Sequence, residues 1–295
     1  MKKALKFIQF IFFVICLAFL LYAFFQEKEV IKEILDSSIK IYLLIAIILW
    51  PLTIFLSGIF AWIVLGGNHS GVKYSQILAI YMNRVPAKYL PGGVWHTVAR
   101  AYDFNFIGLS RSKIAVLVFY ENFWTVLIAA IASGFYVFAL NHDPVYKSLA
   151  AAMIAGSLVF IVLAFIFRKN NFVLDMKTYI GISFTAVCFW ILAGSIFILY
   201  LIAIGIGGGE QNMFAIFFHY LFAYVLGFVS IFTPQGIGVF EVVMMQLTVF
   251  QMNDTQVLIL LAGFRIVVLC GDMIAWLSFV LSKNFINKNQ EISHG

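Results

Sequence analysis

An all-α, polytopic membrane fold follows from three features of the chain. Of the 295 residues, 63% are hydrophobic and only 11% charged, against about 25% charged in soluble domains. Mean hydropathy is +1.02, carried by apolar runs longer than the roughly 18 residues that mark a membrane-crossing helix. The third feature is a pair of Pro/Gly breaks in otherwise apolar chain. They are Leu90-Pro91-Gly92-Gly93-Val94-Trp95-His96 and Thr233-Pro234-Gln235-Gly236-Ile237-Gly238-Val239-Phe240-Glu241. Proline removes a backbone donor and glycine admits unusual dihedrals, so a helix stops at both places. In hydrocarbon, a stopped helix strands N–H and C=O groups at several kcal/mol each. Such a break therefore needs cover from protein or a water-filled cavity, and paired breaks in matching places of two halves point to a transport site.

Taken in order, Lys2, Lys3 and Lys6 precede an apolar run over 5–25. The run is too long for a signal peptide and lacks a small-residue cleavage site, so it reads as a first span. Residues 26–40 mix charge with Val30, Ile31, Ile34 and Leu35 at helical spacing, which suits a short interfacial helix. A second span covers 41–65 with a kink at Pro51. Residues 76–90 are too short and too charged for a span, carrying Asn83, Arg84 and Lys88 and cut by Pro86. They read as the descending limb of a re-entrant hairpin with Pro91, Gly92 and Gly93 at its tip and 94–104 as the return. Further spans are expected over 114–140, 149–167, 179–204 and 257–281, with a second hairpin over 213–250 whose tip holds Pro234, Gly236 and Gly238. The total is six full spans and two hairpins.

The two halves, 1–140 and 141–295, then look alike. In each, a Pro/Gly break leads to an amphipathic stretch, a polar loop (108–113; 253–256) and a span with a buried charge, Glu121 or Arg265. Three spans and one hairpin per half force the second half to enter the membrane inverted. The positive-inside rule supports this arrangement. With both termini inside, fourteen Lys and Arg fall on the inner side and only Lys28, Lys32, Lys40 and Lys147 outside; Arg265, the nineteenth, lies within a span. Reading the hairpins as single full spans would instead place the basic residues from Arg84 to Lys113 outside.

Charge inside a span costs about 2.5–3.5 kcal/mol on insertion scales, so each such residue asks for a reason. Glu121 and Arg265 read either as a helix-locking ion pair or as groups that bind a charged headgroup or relay a proton. Glu241, three residues beyond Gly238, can bind substrate or accept from backbone amides freed at the break. Arg100 can hold phosphate bidentately or snorkel to lipid phosphates, as Arg84 can. His96 and Asp272 are candidate proton relays, and Asp272 lies seven residues after Arg265, on the same helix face. His219 is similarly ambiguous.

Pro91-Gly92-Gly93 followed by Arg100, Gly108-Leu109-Ser110, the helix with Glu121, and Thr233-Pro234-x-Gly236-x-Gly238-x-x-Glu241 with Arg265 resemble the lysylphosphatidylglycerol synthase transmembrane-region family. The resemblance spans essentially the whole chain. It implies a flippase-like integral membrane protein that moves an anionic lipid or lipid-linked saccharide between leaflets, in cell-envelope lipid or glycan assembly. It also implies a plasma-membrane location, the inner membrane in a bacterium, with Arg100, Glu121, Glu241 and Arg265 at the translocation site. Two departures are visible. The soluble aminoacyl-transfer domain of the fused enzymes is absent, and Gln235 stands where glycine is usual.

Other classes find less support. Basic residues sit at the ends of apolar segments and not along one face, which argues against nucleic-acid binding. Cys16, Cys188 and Cys270 all fall in apolar spans without disulfide or zinc spacing. No metal cluster, nucleophile elbow, phosphate-binding loop or dinucleotide motif appears, so neither cofactor nor metal is expected. The alternatives are an integral-membrane transferase and a non-transporting scaffold or accessory subunit for a glycosyltransferase or other envelope-biosynthesis enzyme.

Overall fold

A computed structural model of the chain describes residues 40–89, 94–166, 174–206, 212–230, 236, 238–248 and 254–294. The expected span over 5–25, the interfacial segment over 26–39, and Pro91, Gly92, Gly93 and Pro234 lie outside the described residues. Every regular element among the described residues is helical. Five helical segments are long and apolar enough to cross a membrane: Ile41–Val64, Arg111–Leu140, Pro144–Leu163, Met176–Ala203 and Asp254–Ser282. These coincide with five of the expected six spans.

The first is built from α1 (Lys40–Leu49) and α2 (Pro51–Val64), divided at Pro51, whose ring cannot accommodate the preceding helical turn. α5 (Arg111–Leu140), α6 (Pro144–Ile166) and α7 (Met176–Ala203) follow the expected spans but begin earlier, each for a local reason. Ser110 caps α5 by accepting from the Lys113 amide, proline opens α6, and Asp175 caps α7 by accepting from Thr178. The Thr178 hydroxyl and amide hold the Asp175 carboxyl below the usual carboxylate range. α10 (Asp254–His294) carries the last span.

The elements around the breaks are short. α3 (Tyr74–Asn83) runs into a 3-10 turn at Val85–Tyr89, where Pro86 ends regular helix, and α4 (Trp95–Phe106) follows the break. At 1.5 Å per residue, α3 and α4 reach only about 15–18 Å, well short of a ~30 Å hydrocarbon core. They lie side by side and antiparallel: Tyr81 packs edge-on against Phe104, and Arg84 bonds Asp103 through two 2.6 Å contacts. α8 (Met213–Val229) and α9 (Val239–Leu247) repeat the arrangement at the second break. There, Gly236 sits against the Gly227 backbone, Tyr220 against Phe240, and His219 Nδ1 lies 3.1 Å from Thr248 Oγ1.

Two buried apolar clusters hold these pieces together. One joins α7, α8, α9 and α10 through Phe197, Tyr220, Phe222, Met244, Leu261 and Phe264. The other joins α2, α3, α4 and the first half of α5 through Phe60, Ile77, Phe104 and Leu117, with Ile182 of α7. Cys188 and Cys270 are free and half-buried.

Candidate functional site

Besides the Arg84–Asp103 pair between α3 and α4, three ion pairs tie the elements around the breaks to the long helices. In the first, Arg100 of α4 donates from Nη1 to Glu121 Oε1 of α5 at 2.6 Å, its guanidinium 4.3 Å from the centroid of the Tyr81 ring. In the second, the sign is reversed: Glu241 is on the short helix α9 and Arg265 on the long helix α10. Arg265 donates from Nε and Nη2 to Glu241 Oε1 at 2.9 and 2.7 Å, while Glu241 Oε2 accepts the Gly238 amide at 2.7 Å. Glu241 thus accepts a backbone donor freed at the break, one of the two purposes anticipated for it, and also holds a cation. Gly238 has φ +92°, a conformation that places its N–H within reach of that carboxylate and that L side chains rarely adopt.

The third pair links the halves. Asp272 of α10 accepts from Lys88 Nζ at 2.8 Å, from the Tyr89 hydroxyl at 2.7 Å and from Trp50 Nε1 at 2.8 Å. The 3-10 turn Val85–Tyr89 is thereby tied to α10 and to the α1–α2 junction.

Of the expected site residues, the structure brings Arg100 to Glu121 and Glu241 to Arg265, but it gives Glu121 and Arg265 separate partners. Asp272, although seven residues from Arg265, pairs with Lys88 and not with its own helix's neighbours. Lys88, Trp50, Tyr89 and Asp103 are partners that sequence reasoning missed. Their only signal was the rarity of charge near apolar segments, and it left Lys88 looking like another basic residue near the inner face.

Behind the first pair lies a cavity of about 160 Å³. Ser57 of α2, His96, Arg100 and Glu121, Asn122 of α5, Thr185 and Trp190 of α7, and Tyr224 of α8 line it. The hydroxyls of Ser57 and Thr185 donate to carbonyls one turn back on their own helices, so they offer lone pairs to the cavity. Trp190 Nε1 is engaged by the Thr125 carbonyl at 2.7 Å. His96 Nδ1 is buried without a hydrogen-bond partner among the described residues. A second cavity, about 260 Å³, lies at the other end of α5 and is lined by Tyr136, His142, His219 and Leu247. Among the described residues, no group of three or more His, Cys, Asp and Glu is placed to hold a metal ion. No protein-family model and no curated protein matches this chain.

Proposed function

We propose that this protein moves an anionic lipid, or a lipid-linked saccharide, between membrane leaflets, its tail remaining in the bilayer. The observation that carries the proposal is a buried cation, Arg100, paired with Glu121 at a cavity beside helices that stop short. Glu121 is ten residues beyond Arg111, about 15 Å along the helix and so near the middle of a ~30 Å core. A charged headgroup is stripped of its hydration in hydrocarbon and does not cross it unaided at useful rates. Arg100 and Arg265 would hold its phosphate, with Glu121 and Glu241 as their partners while the site is empty. Asp272, engaged by three donors, would position Lys88, and His96 would be the proton relay.

The inverted-repeat reading belongs to the same proposal. Pairing α2 with α7, α3 with α8, α4 with α9 and α5 with α10 makes the packing reciprocal. α2 packs on α7; α5 packs on α8 as α10 packs on α3; α5 packs on α7 as α10 packs on α2. A pseudo-twofold between 1–140 and 141–295 has this pattern. The topology then has both termini cytoplasmic, six spans and two re-entrant hairpins, in a bacterial plasma membrane. The likeness in sequence to the lysylphosphatidylglycerol synthase transmembrane region is consistent with such a protein.

Cysteine accessibility in intact cells tests the topology. Single cysteines at Lys73 and Ser110, on either side of the first hairpin, should both resist a membrane-impermeant thiol reagent, while one at Asp143 should react. Lys73 and Ser110 on opposite sides would end the re-entrant reading.

Function is tested in proteoliposomes by headgroup accessibility, using fluorescent phospholipids reduced by dithionite and polyprenyl phosphate sugars exposed to an impermeant oxidant. Wild type should accelerate translocation of at least one anionic lipid over empty liposomes. Arg100→Gln and Arg265→Gln should each lower that rate at least tenfold. Wild type that never exceeds empty liposomes for any lipid would leave the scaffold reading in its place.

A further inference from the structure

The three ion pairs are electrically balanced: Lys88, Arg100 and Arg265 face Asp272, Glu121 and Glu241. A phosphate arriving at one of these cations displaces a carboxylate. A carboxylate left unpaired away from water is strongly disfavoured, and such a group neutralises by taking up a proton. The structure distinguishes which carboxylate yields. Asp272 accepts three hydrogen bonds and its side chain is 3% exposed. Glu241 accepts three across both oxygens and its side chain is 9% exposed. Glu121 accepts one bond from a cation, Arg100, with the Tyr81 hydroxyl close beside it, and its side chain is 17% exposed. Of the three carboxylates, Glu121 is the one that lines the 160 Å³ cavity, which is large enough to admit water.

The surroundings of Glu121 point the same way. The buried polar side-chain atoms without a hydrogen bond among the described residues are the Tyr81 hydroxyl and His96 Nδ1. Tyr81 of α3 lies under the Arg100 guanidinium and within reach of the Glu121 charge. His96 lines the same cavity. The groups that face Glu121 are therefore Arg100 and His96 from α4 and Tyr81 from α3. Across the cavity, α2, α7 and α8 present Ser57, Thr185, Trp190 and Tyr224, of which Tyr224 alone titrates. Among the described residues, no Lys or Arg besides Arg100 lines this cavity to hold Glu121 ionised once Arg100 is taken.

We infer that Glu121 is a proton-binding site and that the protein carries one proton with each monoanionic headgroup. This rests on the transport reading above. Phosphate replaces Glu121 on Arg100, and the freed carboxylate takes one proton from the aqueous side to which the cavity is open. The neutral carboxyl and the Arg100–phosphate pair leave the net charge of the site unchanged. When phosphate departs on the opposite side, Glu121 releases its proton there and pairs with Arg100 again. Lipid and proton move in the same direction, so acid on one side drives lipid away from that side.

Proton uptake is measurable without transport. Titration calorimetry of the detergent-solubilised full chain with dihexanoyl phosphatidylglycerol, a phosphodiester that stays a monoanion near neutral pH, in two buffers of different ionisation enthalpy, reports the protons bound per phosphate. Wild type should take up about one and Glu121→Gln none. Absence of uptake by wild type, or uptake by Glu121→Gln equal to wild type, overturns the inference. If Glu121→Gln does not purify folded, the wild-type stoichiometry decides alone.

In proteoliposomes, a gradient of one pH unit should displace the steady-state leaflet ratio about tenfold, since each 1.4 kcal/mol is tenfold in an equilibrium. Wild-type translocation indifferent to the gradient sinks the coupling and leaves the transport reading standing. Absence of translocation for every lipid sinks the transport reading, whatever the calorimetry shows.

Discussion

Replacing Asp272 with alanine is expected to destabilise the folded protein by about 3–5 kcal/mol, the cost of removing one partner of a buried ion pair. The loss strands more than one group. Lys88 Nζ, the Tyr89 hydroxyl and Trp50 Nε1 all donate to this carboxylate, and each would be left in a site that is 2% exposed at Asp272. Asp272 is also the point where the 3-10 turn Val85–Tyr89, the α1–α2 junction and α10 meet. Thermal unfolding in detergent should show the drop. Asp272→Ala combined with Lys88→Met should recover part of it, because a well-packed apolar pair is often as stable as the buried ion pair it replaces. Equal stability of wild type and Asp272→Ala would show that the three donors find water, and that this end of α10 is open.

The second large effect is expected at Gly236→Ala. Gly236 has φ +70°, where a side chain costs roughly 1–2 kcal/mol, and an added Cβ would lie 2.8 Å from Gly227 Cα. Neither atom belongs to a flexible side chain, so relief requires moving α8 or the second break, at a further 1–3 kcal/mol typical of overpacking. That displacement would shift Gly238 and the Glu241–Arg265 pair beyond it. Translocation should therefore fall together with stability, whereas Gly108→Ala should leave translocation near wild type. Gly108 also has positive φ, but a Cβ there meets nothing within 4 Å. Wild-type stability of Gly236→Ala would show that the close approach of the two glycine backbones is not needed.

The fold was legible where the controlling physics is local. Hydropathy over a window of about twenty residues decides whether a segment can cross hydrocarbon, and the runs ending at Val64, Leu140 and Ala203 were visible for that reason. The stops at Pro86 and Gly236–Gly238 were equally visible, since loss of a donor and freedom at φ are properties of single residues. Helix starts were read a few residues late at α5, α6 and α10, because hydropathy sees neither the Ser110 cap nor the helix-opening Pro144.

The charged residues that matter were also visible one by one. Arg100, Glu121, Glu241, Arg265 and Asp272 stand out because ionised groups are rare in apolar segments. Their partners were not visible. Glu121 and Arg265, which looked like counterparts across the halves, each bind a residue of their own half, 21 and 24 positions away. Lys88 and Asp272 bind across 184 positions. Opposite charges attract whichever helices carry them, so composition says that pairs must form without saying which. The helix packing that sets α10 against the first break decided that Lys88 meets Asp272 and that Glu121 alone of the three carboxylates faces an open cavity.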